Sequence, residues 1–234
     1  MTDHTQQTSL EIRPVAYFRS PVGGKFGLPR QAGIAQNLQG EIVLEEAYCS
    51  PEALRGLEGF DYLWLIWGFS LNRGSRPGHL TVRPPRLGGN TRVGVFASRS
   101  PFRPNPLGLS SVKISGIDLQ KGIITVLGAD LADGTPIYDI KPYIEYADSH
   151  PNVRSGFTDS TAWQRLEVII PSETAQKLEE TLGKESLEAL KEILEEDPRP
   201  QYQDDPQRVY GLTYQGRDIR FKVEDNTLTI TEII

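Results

Sequence analysis

The sequence predicts a mainly β fold, a closed barrel or sandwich followed by a small α+β C-terminal unit. Three observations lead there. The 234 residues include 22 glycines and 17 prolines, which suit turn-rich strands better than helices. As far as about residue 157 the chain offers five to seven short apolar runs set between Gly/Pro turns, with almost no helical periodicity. Beyond that point come two helical stripes and three alternating runs, a unit small enough that its independent stability is marginal.

Taken in order, residues 11–19 read as a strand ending at Ser20-Pro21, and Gly23, Gly24 and Gly27 open a loop that closes on Pro29-Arg30-Gln31-Ala32-Gly33. A strand covers residues 40–46. Ser50-Pro51-Glu52 places a capping hydroxyl and an N1 proline at the start of one short helix reaching about residue 57. Residues 62–68 form a near-continuous apolar run with two tryptophans, the pattern of a strand buried on both sides. Residues 73–90 are a Pro/Gly/Arg loop, long enough to suggest a function. Strands are predicted at 92–97, 110–117, 122–127 and 137–143. Helices are predicted at 172–180 and 184–196, the second with Leu187, Leu190, Ile193 and Leu194 on one stripe. Runs at 207–214, 218–223 and 228–233 alternate in the β manner.

Composition narrows the function classes. The single cysteine, Cys49, has no disulfide partner, and no Cys/His cluster has zinc-ligand spacing. The first ten residues lack the apolar core of a signal peptide, and the most apolar run, 62–69, is too short to span a bilayer. The expectation is a soluble cytoplasmic protein with no metal and no membrane partner.

Charge is unevenly distributed. The net charge is −6, yet residues 62–117 contain no Asp or Glu and carry Arg73, Arg76, Arg83, Arg86, Arg92, Arg99, Arg103 and Lys113. Residues 159–205 hold thirteen acids against five bases. Arginine's planar fork grips phosphate and carboxylate bidentately and stacks on bases, so the acid-free stretch points to an anionic ligand, a nucleic acid or nucleotide. The alternative is that it pairs with the acidic C-terminal part.

Standard motifs are missing. No G-x-G-x-x-G follows a strand, Gly24-Lys25 lacks the leading glycine and the hydroxyl of a phosphate loop, and His4, His79 and His150 are isolated. Two segments stand out instead. Residues 99–110 read Arg99-Ser100-Pro101-Phe102-Arg103-Pro104-Asn105-Pro106-Leu107-Gly108-Leu109-Ser110, where three prolines stiffen a loop that carries two arginines. Residues 127–136, Leu127-Gly128-Ala129-Asp130-Leu131-Ala132-Asp133-Gly134-Thr135-Pro136, set two carboxylates beside a turn. They suit an amine, an ammonium or ribose hydroxyls, and equally an ordinary Asp-Gly turn.

With these residues in view, the chain resembles the TsaA-like/YaeB family, the TrmO tRNA methyltransferases. The resemblance runs in order from about residue 12 to 202. It includes Phe18-Arg19-Ser20-Pro21, Lys25-Phe26 with Pro29-Arg30-Gln31, Leu63-Trp64, and Val82-Arg83-Pro84-Pro85-Arg86-Leu87-Gly88-Gly89-Asn90. It continues through Gly94-Val95-Phe96-Ala97, the 99–110 segment, Asp133-Gly134-Thr135-Pro136 and Asp139-Ile140-Lys141-Pro142-Tyr143, and ends at Asp197-Pro198-Arg199-Pro200 with Tyr202. The run R-S-x-F-R-P-N-P-x-G is specific.

The resemblance implies a β-barrel domain over residues 10–157, a small α+β domain over 160–234, and a homodimer. It implies an S-adenosyl-methionine-dependent methyltransferase acting on N6 of N6-threonylcarbamoyl-adenosine next to the anticodon of tRNA. Cofactor contacts map onto Ala32, Gly33, Ile34, Phe69, Ser70, Arg99, Leu109, Ser110, Ala129, Asp130, Leu131, Ala132 and Asp133. Ser70 stands where family members often carry His. Asp133, Asp139 and Tyr143 are candidates to accept the N6 proton. Arg83, Arg86, Arg103 and Asn105 are the candidates for tRNA. A non-catalytic S-adenosyl-methionine- or tRNA-binding module on the same barrel is the competing reading, and a phosphate-ester hydrolase is disfavoured by the lack of metal ligands.

Overall fold

The alternating apolar residues of the first half face one another across a closed sheet. The computed structural model describes residues 10–71, 80–84, 91–160, 164–199 and 205–234. The first half contributes β1 (Ala16–Arg19), β2 (Gln39–Leu44), the one-turn helix α1 (Pro51–Leu54), β3 (Tyr62–Gly68), and a short ribbon of β4 (Thr81–Val82) with β5 (Val93–Gly94). It continues with β6 (Leu107–Asp118), β7 (Ile123–Leu127), β8 (Pro136–Pro142) and the short helix α2 (Glu145–Asp148). Strands ordered β1-β2-β7-β6-β3-β8 close into a barrel as β8 returns to pair with β1. Closure leaves these six strands no free edge. Along β3 the residues Leu63, Leu65 and Trp67 are buried while Tyr62, Trp64 and Ile66 are at least partly open. They meet Phe18, Ile42, Val112, Ile124, Val126 and Ile137 in the barrel core.

β6 serves two partners along its length. Its start pairs with β3 and its end with β7, and the register shifts between Ile114 and Gly116. Such a bulge bends a strand so that it can pass from one partner to the next. Its opening at Leu107 also means that the proline-stiffened segment runs straight into the barrel wall.

The mainly β architecture matches the sequence expectation, and local differences have local causes. β1 begins at Ala16 rather than residue 11, just past Pro14, which has no N–H to give a ladder. Ser50 caps α1 as predicted, its Oγ accepting from the Glu52 N–H at 3.3 Å, but Gly56 at φ 87° turns the chain away early. The strand predicted over 92–97 is two residues long, because Val95–Ala97 coil into a 3-10 turn that leaves Phe96 76% exposed. Most of the 73–90 loop, with Arg73, Arg76 and Arg86, lies outside the described residues.

The C-terminal unit contains β9 (Glu167–Ile169), α3 (Ser172–Leu182), α4 (Lys184–Glu195), β10 (Tyr210–Tyr214), β11 (Arg217–Glu224) and β12 (Thr227–Ile233). Its sheet runs β10-β11-β12-β9, with β9 parallel to β12. β9 has only three residues, too few for a period-two pattern to be read. The helices press Leu178, Leu190 and Leu194 onto Phe221, Leu228 and Ile230. Three side chains of the β1–β2 loop, Val22, Ala35 and Leu38, are buried in this same core. None of the described helices is long and apolar enough to cross a membrane.

One glycine sets how closely the start of β6 approaches the end of β3. A Cβ on Gly108 would collide with the indole of Trp67, which itself packs edge-on against Phe69 at 4.6 Å between ring centroids. Gly108→Ala should lower stability by about 1–3 kcal/mol through overpacking. Gly59→Ala, where a Cβ meets nothing within 4 Å, should change it by less than about 0.5 kcal/mol. Urea unfolding of the two variants checks this, and equal midpoints would contradict it.

Candidate functional site

A cavity of about 760 Å³ opens beside the barrel, in the size range of small-molecule sites. Four pieces of chain wall it: the β1–β2 loop (Lys25 and residues 28–32), β3 from Trp64 through Leu71, the 96–111 segment, and Asp130 with Ala132 and Thr135. Two of them are positioned by local backbone constraints. The prolines 101, 104 and 106 stiffen the arginine segment. Gly128, at φ 76°, lets the chain leave β7 in a conformation that L side chains rarely adopt. There its N–H donates to Leu38 O at 2.9 Å and its carbonyl accepts from Gly33 N–H at 2.8 Å.

The floor is a directional chain of hydrogen bonds. Trp67 Nε1 donates to Ser110 Oγ at 2.9 Å, and Ser110 Oγ donates to Asp130 Oδ1 at 2.6 Å. Indole can only donate, so the serine oxygen accepts from it and its single proton goes to the carboxylate. Ser110 is 2% exposed and Trp67 is 6% exposed. Burial pushes the Asp130 carboxyl above its ordinary range. The Ser110 hydroxyl, its own backbone N–H, the Arg99 guanidinium and the Ala32 N–H pull the other way, in that order, without cancelling it. Among the described residues Asp130 forms no ion pair. The Arg99 guanidinium is held from the other side by Gln31, to whose Oε1 it donates. The floor therefore sets a desolvated acceptor beside a fixed cation, a pair suited to a ligand with both an ammonium-type and a carboxylate group.

Of the residues expected to hold a cofactor, Ala32, Phe69, Ser70, Arg99, Leu109, Ser110, Asp130 and Ala132 line the cavity. Ser70 Oγ lies 3.2 Å from Thr135 Oγ1, so the position carries a hydroxyl pair in place of an imidazole. Gly33 and Ile34 belong to the same loop but are not among the lining residues, and Ala129 and Leu131 are buried in the barrel core. Arg103 and Asn105 line the cavity, with Arg103 Nη1 donating to Ser98 O at 3.2 Å. Arg83 is exposed away from the lining, and Arg86 lies outside the described residues.

The three proton-acceptor candidates do not come together. Asp133 is exposed on the turn beside Ala132, and its Oδ1 accepts from Ser20 N–H at 3.0 Å. Asp139 pairs with Lys141 at 3.0 Å. Tyr143 packs on Tyr62 and Trp64, with centroids at 6.1 and 5.7 Å, and so stands one ring behind the lining residue Trp64. Residues that sequence reasoning missed are Lys25, Trp67, Phe96 and Thr135 in the lining and Gln31 as the partner of Arg99. Lys25, Gln31 and Phe96 stand inside the motifs that carry the family resemblance, while Trp67 is joined to Ser110 across 43 residues and has no local signal. No described lining residue is Cys, His or Glu, and no described group of three metal-ligating side chains occurs.

Comparison with known proteins gives a consistent picture. Residues 17–149 match the family described as tRNA-methyltransferase O N-terminal domain, and residues 163–234 match the TrmO C-terminal domain. A tRNA (adenine(37)-N6)-methyltransferase of Escherichia coli is 38% identical over 227 residues, 93% of this chain and 95% of its own. A putative S-adenosylmethionine-dependent methyltransferase of Pseudomonas aeruginosa is 37% identical over 217 residues, 90% of this chain and 91% of its own. The crystal structure of TrmO from Pseudomonas aeruginosa superposes with a TM-score of 0.78 at 28% identity, covering 97% of this chain and all of the other.

Asp130 makes a measurable contribution of known sign. Its folded pKa is raised, so over an interval above the ordinary carboxylate range the folded state keeps a proton that the unfolded chain has lost. Stability from this group is full below about pH 4, falls as pH rises through the raised value, and then levels off. Asp130→Asn keeps an acceptor for Ser110 and removes the charge. Its melting temperature should exceed wild type at pH 7 and converge with it in acid, as scanning calorimetry at several pH values would show. A lower melting temperature at pH 7 would contradict the reading.

Proposed function

The chain belongs to the tRNA-methyltransferase O family, and from that membership we infer that it moves the methyl group of S-adenosyl-methionine to N6 of an adenine next to the anticodon of tRNA. The adenine is read as already bearing a threonylcarbamoyl group, and the protein as a cytoplasmic homodimer. Within it, residues 10–157 act as the cofactor- and tRNA-binding domain and residues 160–234 as a small α+β domain whose core also takes in Val22, Ala35 and Leu38. The observation that carries the reading is the half-buried Asp130 carboxylate, held by Ser110, without an ion pair among the described residues, and set with Arg99 in a cavity of about 760 Å³. Exposed Leu109 and Tyr62, on neighbouring strands of one barrel face, support the homodimer.

Bound S-adenosyl-methionine supplies a sulfonium methyl, so transfer breaks a C–S bond, forms an N–C bond and leaves a neutral thioether. Asp130 attracts the donor's positive end, and Arg99 takes its carboxylate. Ser110 and Trp67 keep the Asp130 oxygen aimed, so Asp130 and Arg99 would hold the bound donor in a fixed orientation, and in a methyl transfer positioning supplies most of the rate. The apolar faces of Trp67 and Phe69 exclude water. Phe96 at the rim offers a stacking surface for an unpaired base, while Arg103 and Lys25 offer charge to the substrate's carboxylate or phosphates. N6 loses a proton as it is methylated, and Asp133, next to Ala132 in the wall, is the proposed acceptor. None of the three candidates is itself a lining residue, and Asp139 and Tyr143 remain the alternatives.

Labelled methyl transfer to tRNA with and without the threonylcarbamoyl group tests the activity. Transfer to the modified tRNA alone is expected, and donor binding without transfer would favour the non-catalytic reading. Asp130→Asn should weaken donor binding by about 1.5–3 kcal/mol, the worth of a charge-assisted hydrogen bond, although it stabilises the fold. Unchanged affinity by calorimetry would remove Asp130 from the site. If roughly four to six positive charges touch phosphates, log K for tRNA against log salt should slope between about −3 and −5. Arg83→Ala should make that slope shallower by about one, and Arg99→Ala should cost donor affinity more than tRNA affinity. Filter binding at three salt concentrations reads both, and a flat response in the wild type would contradict the tRNA contacts.

A further inference from the structure

The β1–β2 loop, residues 20–38, belongs to both units. Lys25 and residues 28–32 line the cavity, yet Val22, Ala35 and Leu38 are buried in the C-terminal core. Three polar attachments join the same loop to the same unit. Gln215 N–H donates to Pro21 O at 2.8 Å, beside a bridge between Val22 and Tyr214. Glu192 on α4 accepts from both the backbone N–H and the Nδ2 of Asn37, at 2.8 and 2.6 Å. Arg30 Nη2 donates to the carbonyl of Asp197 at 3.3 Å.

That last carbonyl is itself fixed. Asp197, two residues beyond the end of α4, stands in the left-handed region at φ 51°, and Arg199 grips its carboxylate through Nε at 2.8 Å and Nη2 at 2.9 Å. The Asp197-Pro198-Arg199 motif therefore serves to aim a carbonyl at a cavity-lining arginine. On the barrel side Gln31 accepts from Arg99, and the Ala32 N–H bears on Asp130. From the Asp197 turn a run of contacts leads through Arg30 and Gln31 to Arg99, while Glu192 anchors the other end of the same loop at Asn37.

We propose that the C-terminal unit is a clamp on the donor-binding loop, with Glu192 and the locked Asp197 turn as its positioning residues. The proposal rests on the reading of the cavity as the S-adenosyl-methionine site. A loop that must order when the ligand arrives subtracts that entropy from affinity, whereas a loop already held has met the cost in folding. The clamp thus acts on donor affinity, not on the chemical step at saturation.

The test compares the full-length wild type with Glu192→Ala, Glu192→Gln, Asn37→Ala and Glu188→Ala. Glu188 lies on the same helix and, among the described residues, pairs with Lys191 alone, so its variant reports any general loosening of α4. Calorimetric titration with S-adenosyl-methionine and steady-state kinetics with tRNA are the readouts. Glu192→Ala should raise the donor Kd and KM roughly five- to twentyfold, one to two lost hydrogen bonds. Its kcat and its KM for tRNA should stay within about twofold of wild type. Asn37→Ala, outside α4, should give a smaller rise of the same kind. Glu192→Gln should recover near wild-type affinity, because the Asn37 amide can flip to return a matched pair. An unchanged donor Kd in both Glu192→Ala and Asn37→Ala overturns the clamp, as does an equal loss in Glu188→Ala. A wild type that does not bind the donor overturns the site reading, and the clamp with it.

Discussion

The cavity is organised around one electrostatic compromise, a carboxylate kept mostly out of water without an ion-pair partner among the described residues. An isolated buried charge is costly, and Asp130 is tolerated because Ser110 and nearby backbone N–H groups bind its charged form. Trp67 in turn occupies the serine's acceptor side, so the hydroxyl proton has one destination. The remaining deficit is the useful part. A ligand that brings positive charge relieves it, so part of the binding free energy is strain that the fold already carries. Ser110 and Trp67 sit opposite Leu65 and Gly108 on paired strands, which gives the chain its geometry without flexible supports.

The second organising feature is that the two cores share a loop. In sequence the C-terminal unit resembles an appendage, but Val22, Ala35 and Leu38 make it part of the wall of the cavity. Burying side chains such as Val22 and Leu38 is worth about 1.5–3 kcal/mol each, enough to hold the loop where Gln31 can meet Arg99. The acidic character of the unit has a related use. Glu192 and the Asp197 turn are spent on the loop, and Glu195 and Glu196 pair with Arg165 at 3.4 and 3.1 Å. None of the described arginines of the acid-free stretch forms a salt bridge with these acids.

Much of this was legible in the residues. Short apolar runs between Gly/Pro turns marked the barrel strands, although residues 62–68, read as buried on both faces, alternate in burial; Ser50-Pro51 marked a helix start, and the proline spacing of residues 99–110 marked a stiff arginine loop that the structure places in the cavity wall. Asp130 stood out as one of two carboxylates beside a turn, but nothing local separated it from Asp133. Only the tertiary fold buries the first beneath Ser110 and leaves the second exposed with its oxygen turned to Ser20. The Trp67–Ser110 bond, the parallel pairing of the three-residue β9, and the shared core all join residues far apart in the chain. Periodicity and spacing report neighbours along the chain, so contacts of that range leave no trace in them.

The central claim is that Asp130 receives the positive end of the methyl donor at a cavity floor pre-formed by the barrel and the shared loop. A crystal structure of the full chain soaked with S-adenosyl-methionine tests it most directly. The account predicts the donor in the cavity, with its ammonium or sulfonium against an Asp130 oxygen, its carboxylate toward Arg99, and residues 28–32 still lining the wall. A donor bound elsewhere, or one in the cavity whose cationic groups turn away from Asp130, would contradict it.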